Sequence, residues 1–185
     1  MKILIVSGFL GAGKTTFIKR LARNVDQRFA ILENEYGAAG IDGARLGQNR
    51  QGTQKNVWEM TEQCICCIGK KDFAASVLTI ANVVDPEYLI VEPTGVGSLA
   101  RIIENLRQIE YERIQLLSPV TIVDVYSYRR YMAEYPELYQ DQIRSADTII
   151  VSKTEACQAE EKQRIQKFLR KLTRRQKSSR IMHPR

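Results

Sequence analysis

Five short stretches of the 185-residue chain are nearly continuous in apolar side chains and rich in Ile and Val: Lys2–Ser7, Phe29–Glu33, Tyr88–Glu92, Pro119–Asp124 and Thr148–Ser152. Their length and lack of polar alternation predict strands buried on both faces, as in a parallel sheet. Helical spacing fills the intervals. Phe17, Ile18, Leu21 and Val25 share a face, as do Phe73, Val77, Ala81 and Val84, and Ile165, Phe168, Leu169 and Leu172 make the clearest stripe. The βαβα order predicts a doubly wound α/β fold: three layers around a mostly parallel central sheet, with ligands at the carboxyl ends of the strands. Residues 34–56 depart from this order. They carry little apolar content and five of the 11 glycines (Gly37, Gly40, Gly43, Gly47, Gly52). Loops of that length inside a compact domain are uncommon and usually functional or disordered. A short apolar piece, Val57–Met60, follows, and one edge strand is expected after the last helix.

Length and composition narrow the class. A chain of 185 residues, 44% hydrophobic and 26% charged, fits one globular domain with a substantial core and excludes coiled coil and disorder. No apolar run approaches the roughly 18 residues of a membrane span, and MKILIVS is too short for a signal peptide. The net charge of +7 is local. Lys162 to Arg185 holds 10 basic residues and no acidic one, leaving 18 basic against 21 acidic before it. A slightly acidic body argues against a nucleic-acid binder, and the basic stretch reads as the solvated face of the last helix. Three of the four cysteines lie within four residues, which suits a metal or redox site in a reduced, cytoplasmic setting better than a disulfide framework.

Gly8-Phe9-Leu10-Gly11-Ala12-Gly13-Lys14-Thr15 matches G-x-x-x-x-G-K-[ST] between a buried strand and an amphipathic helix. Gly8, Gly11, Ala12, Gly13 and Thr16 are expected to cradle phosphates with backbone N–H groups, Lys14 to reach the β- and γ-phosphates, and the Thr15 hydroxyl to ligate Mg²⁺. Glu92, ending the Tyr88 strand, supplies the acidic partner such a loop needs. Asp124, ending another, is its rival. In Glu92-Pro93-Thr94-Gly95 the Gly95 N–H is placed to meet the γ-phosphate in the triphosphate state only, a nucleotide-state switch. Ser152-Lys153-Thr154-Glu155 occupies the place of the guanine-reading N-K-x-D motif. The carboxylate remains, one methylene longer, and the Lys stem is free to lie over the base; the alternative is that Glu155 caps a helix starting near Ala156. GTP is thus favoured, with ATP still open.

Cys64-Ile65-Cys66-Cys67 cannot pair internally with normal disulfide geometry. As thiolates, the three suit Zn²⁺ or a similar transition metal, and they leave a fourth position open, which fits transfer better than permanent structure. A redox cluster or buried apolar thiols are the alternatives. Cys157 reads as structural, and His183, the only histidine, as nonfunctional.

In order along the chain, GFLGAGKTT, Glu33-Asn34-Glu35-Tyr36-Gly37, Gly40-Ile41-Asp42-Gly43, CICC, VEPTG, Val120–Asp124 and SKTE resemble the CobW-type P-loop GTPases, relatives of the HypB and UreG metal-insertion GTPases. The resemblance runs from Met1 to about Leu172. It implies a GTPase that carries Zn²⁺ or Co²⁺ to client metalloenzymes, with the CxCC cysteines as metal site and residues 34–56 as a switch. Glu33 is the most economical fourth metal ligand, and Glu35 and Asp42 are candidates for Mg²⁺ or the attacking water. Three departures stand out: Gln63 where Gly usually precedes CxCC, SKTE for the guanine motif, and no second, C-terminal domain within residues 1–185. Client recognition then falls to another chain, a homodimer interface or the basic stretch. Two other classes remain beside this one: a small-molecule kinase, and a nucleotide-gated activator that carries no metal.

Overall fold

The computed structural model describes residues 1–24, 27–33, 57–61, 70–173 and 180–182. Among the described residues eight strands form one sheet: β1 (Lys2–Ser7), β2 (Phe29–Glu33), β3 (Val57–Thr61), β4 (Tyr88–Glu92), β5 (Gln115–Leu116), β6 (Val120–Asp124), β7 (Thr148–Ser152) and β8 (Arg180–Met182). The order is β3-β2-β4-β1-β6-β7-β8, with every pairing parallel. β5 and β6 share one edge of β1 in succession. Gln115 and Leu116 pair with Lys2 and Ile3, and Val120 and Thr121 then pair with Val6 and Ser7.

Buried strands need helices on both faces, and the alternation of side chains sorts the core accordingly. Ile3, Ile5, Leu89, Val91 and Val123 join one cluster with Phe73 and Val77 of α2 (Lys70–Val83), Leu99 and Ile102 of α3 (Leu99–Arg107), Tyr128 and Tyr131 of α4 (Tyr128–Glu134), Tyr139 and Ile143 of α5 (Pro136–Arg144), and Ile165 and Leu169 of α6 (Ala159–Thr173). Val6, Ile31, Ile90 and Ile122 point the other way, toward Ile18 and Ala22 of α1 (Lys14–Asn24). The three-layer parallel fold expected from the pattern is present.

Four strands fall where the apolar runs predict them. The fifth begins one residue later, at Val120. Pro119 has no N–H to give a ladder, and its carbonyl instead accepts from the N–H groups of Asp147 and Thr148 at 3.1 and 3.2 Å. Val57–Thr61 is a full strand paired with β2, and the expected edge strand is β8. Val84 lies just past α2, packed against the core, and Val25 is outside the described residues. In α6, Glu160 and Glu161 sit in the first turn and Arg170 and Lys171 in the last, both favourable to the helix dipole. Helices α3, α4 and α5 occupy a stretch the periodicity left unassigned. The break between α4 and α5 has a local cause. Tyr135 precedes Pro136, so it is excluded from the helical region (φ −135°, ψ 57°), and the proline opens α5 at its first turn.

Leu169 is fully buried on the stripe of α6. Leu169→Ala is expected to cost about 2–5 kcal/mol in urea denaturation. A loss under about 1 kcal/mol would contradict the docking of that stripe.

Candidate nucleotide site

β1 ends at Ser7, and the chain turns through Gly8–Gly13 into α1. At Gly8, φ is +147° and a Cβ would lie 2.5 Å from the Ile122 carbonyl oxygen, so only glycine lets the loop leave the sheet against β6. The Ala12 N–H closes a turn onto the Phe9 carbonyl at 3.1 Å, and Phe17 donates the first helical bond to Gly13 at 3.0 Å. No acidic residue occupies the first turn of α1, so the positive end of its dipole keeps its attraction for an anion.

The neighbouring strand ends supply side chains at the same level. Glu92, only 6% exposed, closes β4. The Thr15 hydroxyl donates to Glu92 Oε1 at 3.3 Å, and Lys14 Nζ stands 3.9 Å from the same oxygen. Asp124, the rival carboxylate, is engaged elsewhere. Its oxygens accept from the Tyr126 N–H at 2.9 Å, the Ser127 hydroxyl at 3.0 Å and Lys153 Nζ at 2.8 Å. Burial pushes its pKa up, but the hydrogen bonds from Lys153, Tyr126 and Ser127 and the Lys153 charge outweigh it and hold the carboxyl below its ordinary 3.8. The geometry therefore sets Glu92, not Asp124, beside Lys14 and Thr15.

After Glu92 the chain makes a turn closed by the Gly97 N–H on the Thr94 carbonyl at 3.0 Å. Gly95 lies against the phosphate loop, and a Cβ there would come 2.7 Å from the Leu10 nitrogen. Ser98 then caps α3, accepting from the Arg101 N–H at 3.3 Å.

On the other side, the Ser152 hydroxyl donates to the Ala12 carbonyl at 2.6 Å, tying the end of β7 to the phosphate loop. Lys153 takes a left-handed backbone (φ 58°) and spends its ammonium on Asp124. Lys153 thus has a partner with or without a base, so its presence does not decide between base recognition and capping at Glu155. Glu155 is exposed, and α6 starts at Ala159 rather than near Ala156. Gly13, Thr16, Phe17, Ser152, Lys153 and Glu155 line one groove of about 470 Å³ between α1 and the sheet.

Sequence reasoning missed what holds these loops from behind. The Phe9 ring packs on Tyr131, Tyr135 and Tyr139 at centroid distances of 4.7, 5.9 and 5.0 Å. The Tyr131 hydroxyl donates to the Leu10 carbonyl at 3.0 Å. Gln142 Nε2 donates to the carbonyls of both Gly95 and Gly97 at 3.0 Å. Burial raises the Tyr139 phenol well above its ordinary range, so it stays neutral at any physiological pH. The available signal was the run of tyrosines at 128, 131, 135 and 139, spaced three and four apart.

Cys64, Cys66, Cys67, Gln63, Glu35, Asp42, His183 and the 34–56 stretch lie outside the described residues. Glu33 pairs with Glu92 across β2 and β4, and Thr61, three residues before Cys64, pairs with Glu33. Among the described residues, no group of three His, Cys, Asp or Glu side chains is placed to hold a metal ion. Cys157 packs half-buried against the core, as a structural cysteine would.

The family described as CobW/HypB/UreG, nucleotide-binding domain, matches residues 2–180. The chain belongs to that family. Among curated proteins, it is 31% identical to the zinc chaperone YeiR of Escherichia coli over 167 residues, 89% of this chain and 50% of that protein. It is 28% identical to the zinc chaperone CobW of Pseudomonas aeruginosa over 189 residues, 86% of this chain and 50% of that one. The fold matches Zn(II)-bound YjiA GTPase from Escherichia coli with TM-score 0.68 at 20% identity, over the whole of this chain and 57% of that one. The chain spans about half the length of the curated relatives it matches. In this CobW/HypB/UreG nucleotide-binding domain, no helix among the described residues is long and apolar enough to cross a membrane.

Because the folded-state pKa of Asp124 is depressed, its contribution to stability is complete above 3.8 and is lost as pH falls through the folded value. Denaturant melts from about pH 5 to about pH 2 are expected to show a shallower acid limb for Asp124→Asn than for the native chain. Equal slopes would contradict the ion pair with Lys153.

Proposed function

We propose that this chain hydrolyses GTP and uses the nucleotide state to control a transition metal held by its clustered cysteines. The observation that carries the reading is the meeting of Lys14, Thr15 and Glu92 at the carboxyl ends of β1 and β4, with Gly95 packed on Leu10. The phosphate loop and the first turn of α1 bind the triphosphate through backbone N–H groups and Lys14. A hydroxyl and a carboxylate are the hard oxygen donors that suit Mg²⁺, so Thr15 and Glu92 would hold it. When bound, that ion would neutralise charge on the phosphates. Gly95 reads the γ-phosphate through its N–H. The groove beside Ser152, Lys153 and Glu155 takes the base, with the Glu155 carboxylate accepting from the guanine N–H groups.

The metal is cargo. Cys64, Cys66 and Cys67 supply thiolates for Zn²⁺ or a similar ion, with Glu33 as the fourth ligand. The strands support coupling between the two sites. Glu33 sits opposite Glu92, Thr61 sits opposite Glu33, and the three residues from Thr61 to Cys64 reach at most about 11 Å. The names of the relatives, zinc chaperones and a "Zinc-regulated GTPase metalloprotein activator 1" from Dictyostelium discoideum 29% identical over 145 residues, point to delivery to a client metalloenzyme. The client docks directly or through a homodimer, in the cytoplasm. On this reading intrinsic turnover is slow, and a partner or a second copy speeds it by completing the site.

With γ-labelled GTP, label is expected to leave as inorganic phosphate, with Glu92→Gln slowing release by roughly 100-fold or more. Glu155→Gln is expected to cut the preference for GTP over ATP by about tenfold. Label appearing on an added small molecule would overturn the hydrolase reading in favour of a kinase.

A further inference from the structure

Gln142 is 1% exposed, a fully buried polar side chain on a helix whose other inward residues, Tyr139 and Ile143, are core. Such a residue needs a reason, since an apolar side chain of the same size would fill the space without a polar end to satisfy. Its amide nitrogen reaches two main-chain oxygens, those of Gly95 and Gly97, both at 3.0 Å. A carbonyl only accepts, so the NH₂ end must be the one facing this pair, and both of its hydrogens are committed. The other end, Oε1, is buried and has no hydrogen-bond partner among the described residues. Among the described residues, the hydrogen bonds that orient the side chain all come from the 94–97 turn.

The helix beneath is itself fixed. The Gln142 main-chain oxygen accepts from the Thr121 hydroxyl at 2.8 Å, and Thr121, 1% exposed, sits on β6 opposite Ser7, the residue before the phosphate loop. One residue earlier on the same helix, Asp141 Oδ2 accepts from the Ala100 N–H at 3.3 Å, in the first turn of α3. The turn is thus gripped from behind at two carbonyls, while in front Gly95 has no room for a Cβ against Leu10.

We propose that Gln142 is a positioning residue for the triphosphate state. By holding the Gly95 and Gly97 carbonyls, it fixes the plane of the turn, so that the Gly95 N–H is ready for the γ-phosphate without the loop having to be ordered on binding. Gln142 touches no nucleotide and acts through Gly95. This rests on the reading of Gly95 as the γ-phosphate contact. It predicts a specific energetic signature: loosening the turn weakens a ligand that has a γ-phosphate and spares one that lacks it.

The test uses Gln142→Met, which keeps length and removes both donors, in the full 185-residue chain. Affinities for Mg²⁺ with a non-hydrolysable GTP analogue and for Mg²⁺ with GDP are measured by fluorescent-nucleotide titration. The ratio of the two is expected to shift about tenfold against the triphosphate, with GDP affinity within about twofold of the native chain. Thr121→Val is the companion variant. It removes a buried hydrogen bond to the same residue without touching the turn, and is expected to lower the melting temperature while leaving the ratio unchanged. Equal weakening of both nucleotides by Gln142→Met, an unchanged ratio, or the same shift in Thr121→Val would overturn the proposal. Amide exchange across residues 93–98 of the native chain separates this from failure of the underlying reading. Protection stronger with the GTP analogue than with GDP upholds Gly95 as the contact even if Gln142 proves irrelevant. Equal protection in the two states removes both.

Discussion

The fold of this domain turns on one close approach. Where β1 ends, the backbone passes so near the Ile122 carbonyl that a Cβ at Gly8 would stand 2.5 Å from that oxygen. This contact lets the phosphate loop leave the sheet between β4 and β6, two strands that both run parallel to β1. With all pairings parallel, every strand delivers its last residue to the same edge. Glu92, Asp124 and Ser152 arrive there because β4, β6 and β7 end there, and Glu33 arrives beside Glu92 for the same reason. The site is a consequence of strand direction more than of any folding particular to the loops.

Around that edge the polar groups divide into two sets with different work. Lys14, Thr15 and Glu92 face one another and have chemistry suited to a phosphate and a hard cation. Ser152, Tyr131 and Gln142 instead spend their donors on main-chain carbonyls of Ala12, Leu10, Gly95 and Gly97. A phosphate-binding loop must point its N–H groups inward, so its carbonyls turn outward and need donors of their own. The second set meets that need and stiffens the site. Tyr131 and Gln142 come from α4 and α5, on the face of the sheet away from α1, and Ser152 from the end of β7, so both the sheet and its far layer hold these loops.

Much of this could be read from the sequence. Continuous apolar runs marked the central strands because burial on both faces removes polar alternation, and the glycine-lysine-threonine loop announced itself by its spacing. The tyrosine-rich pair of helices α4 and α5 did not. Its buried face is made of amphipathic tyrosines, which keep a spacing of three and four but are interrupted at Tyr135-Pro136, so it does not stand out as an apolar stripe. Gln142 was invisible for a different reason. A glutamine in a polar-looking helix reads as surface until the fold places it under the 94–97 turn. The Lys153–Asp124 pair joins residues 29 positions apart, a distance at which only the sheet register brings side chains together. Glu92 and Glu33 were readable as strand ends, but their mutual adjacency needed the strand order.

Control of metal by nucleotide is the central claim, and it is a statement about coupling between two sites, so affinity is the quantity that measures it most directly. On the reduced chain, Zn²⁺ affinity would be determined by competition with a chromophoric chelator, once with Mg²⁺ and a non-hydrolysable GTP analogue and once with Mg²⁺ and GDP. The account predicts affinities differing by at least about tenfold, or about 1.4 kcal/mol of coupling. Equal affinities in the two states, or no binding in either, would contradict it.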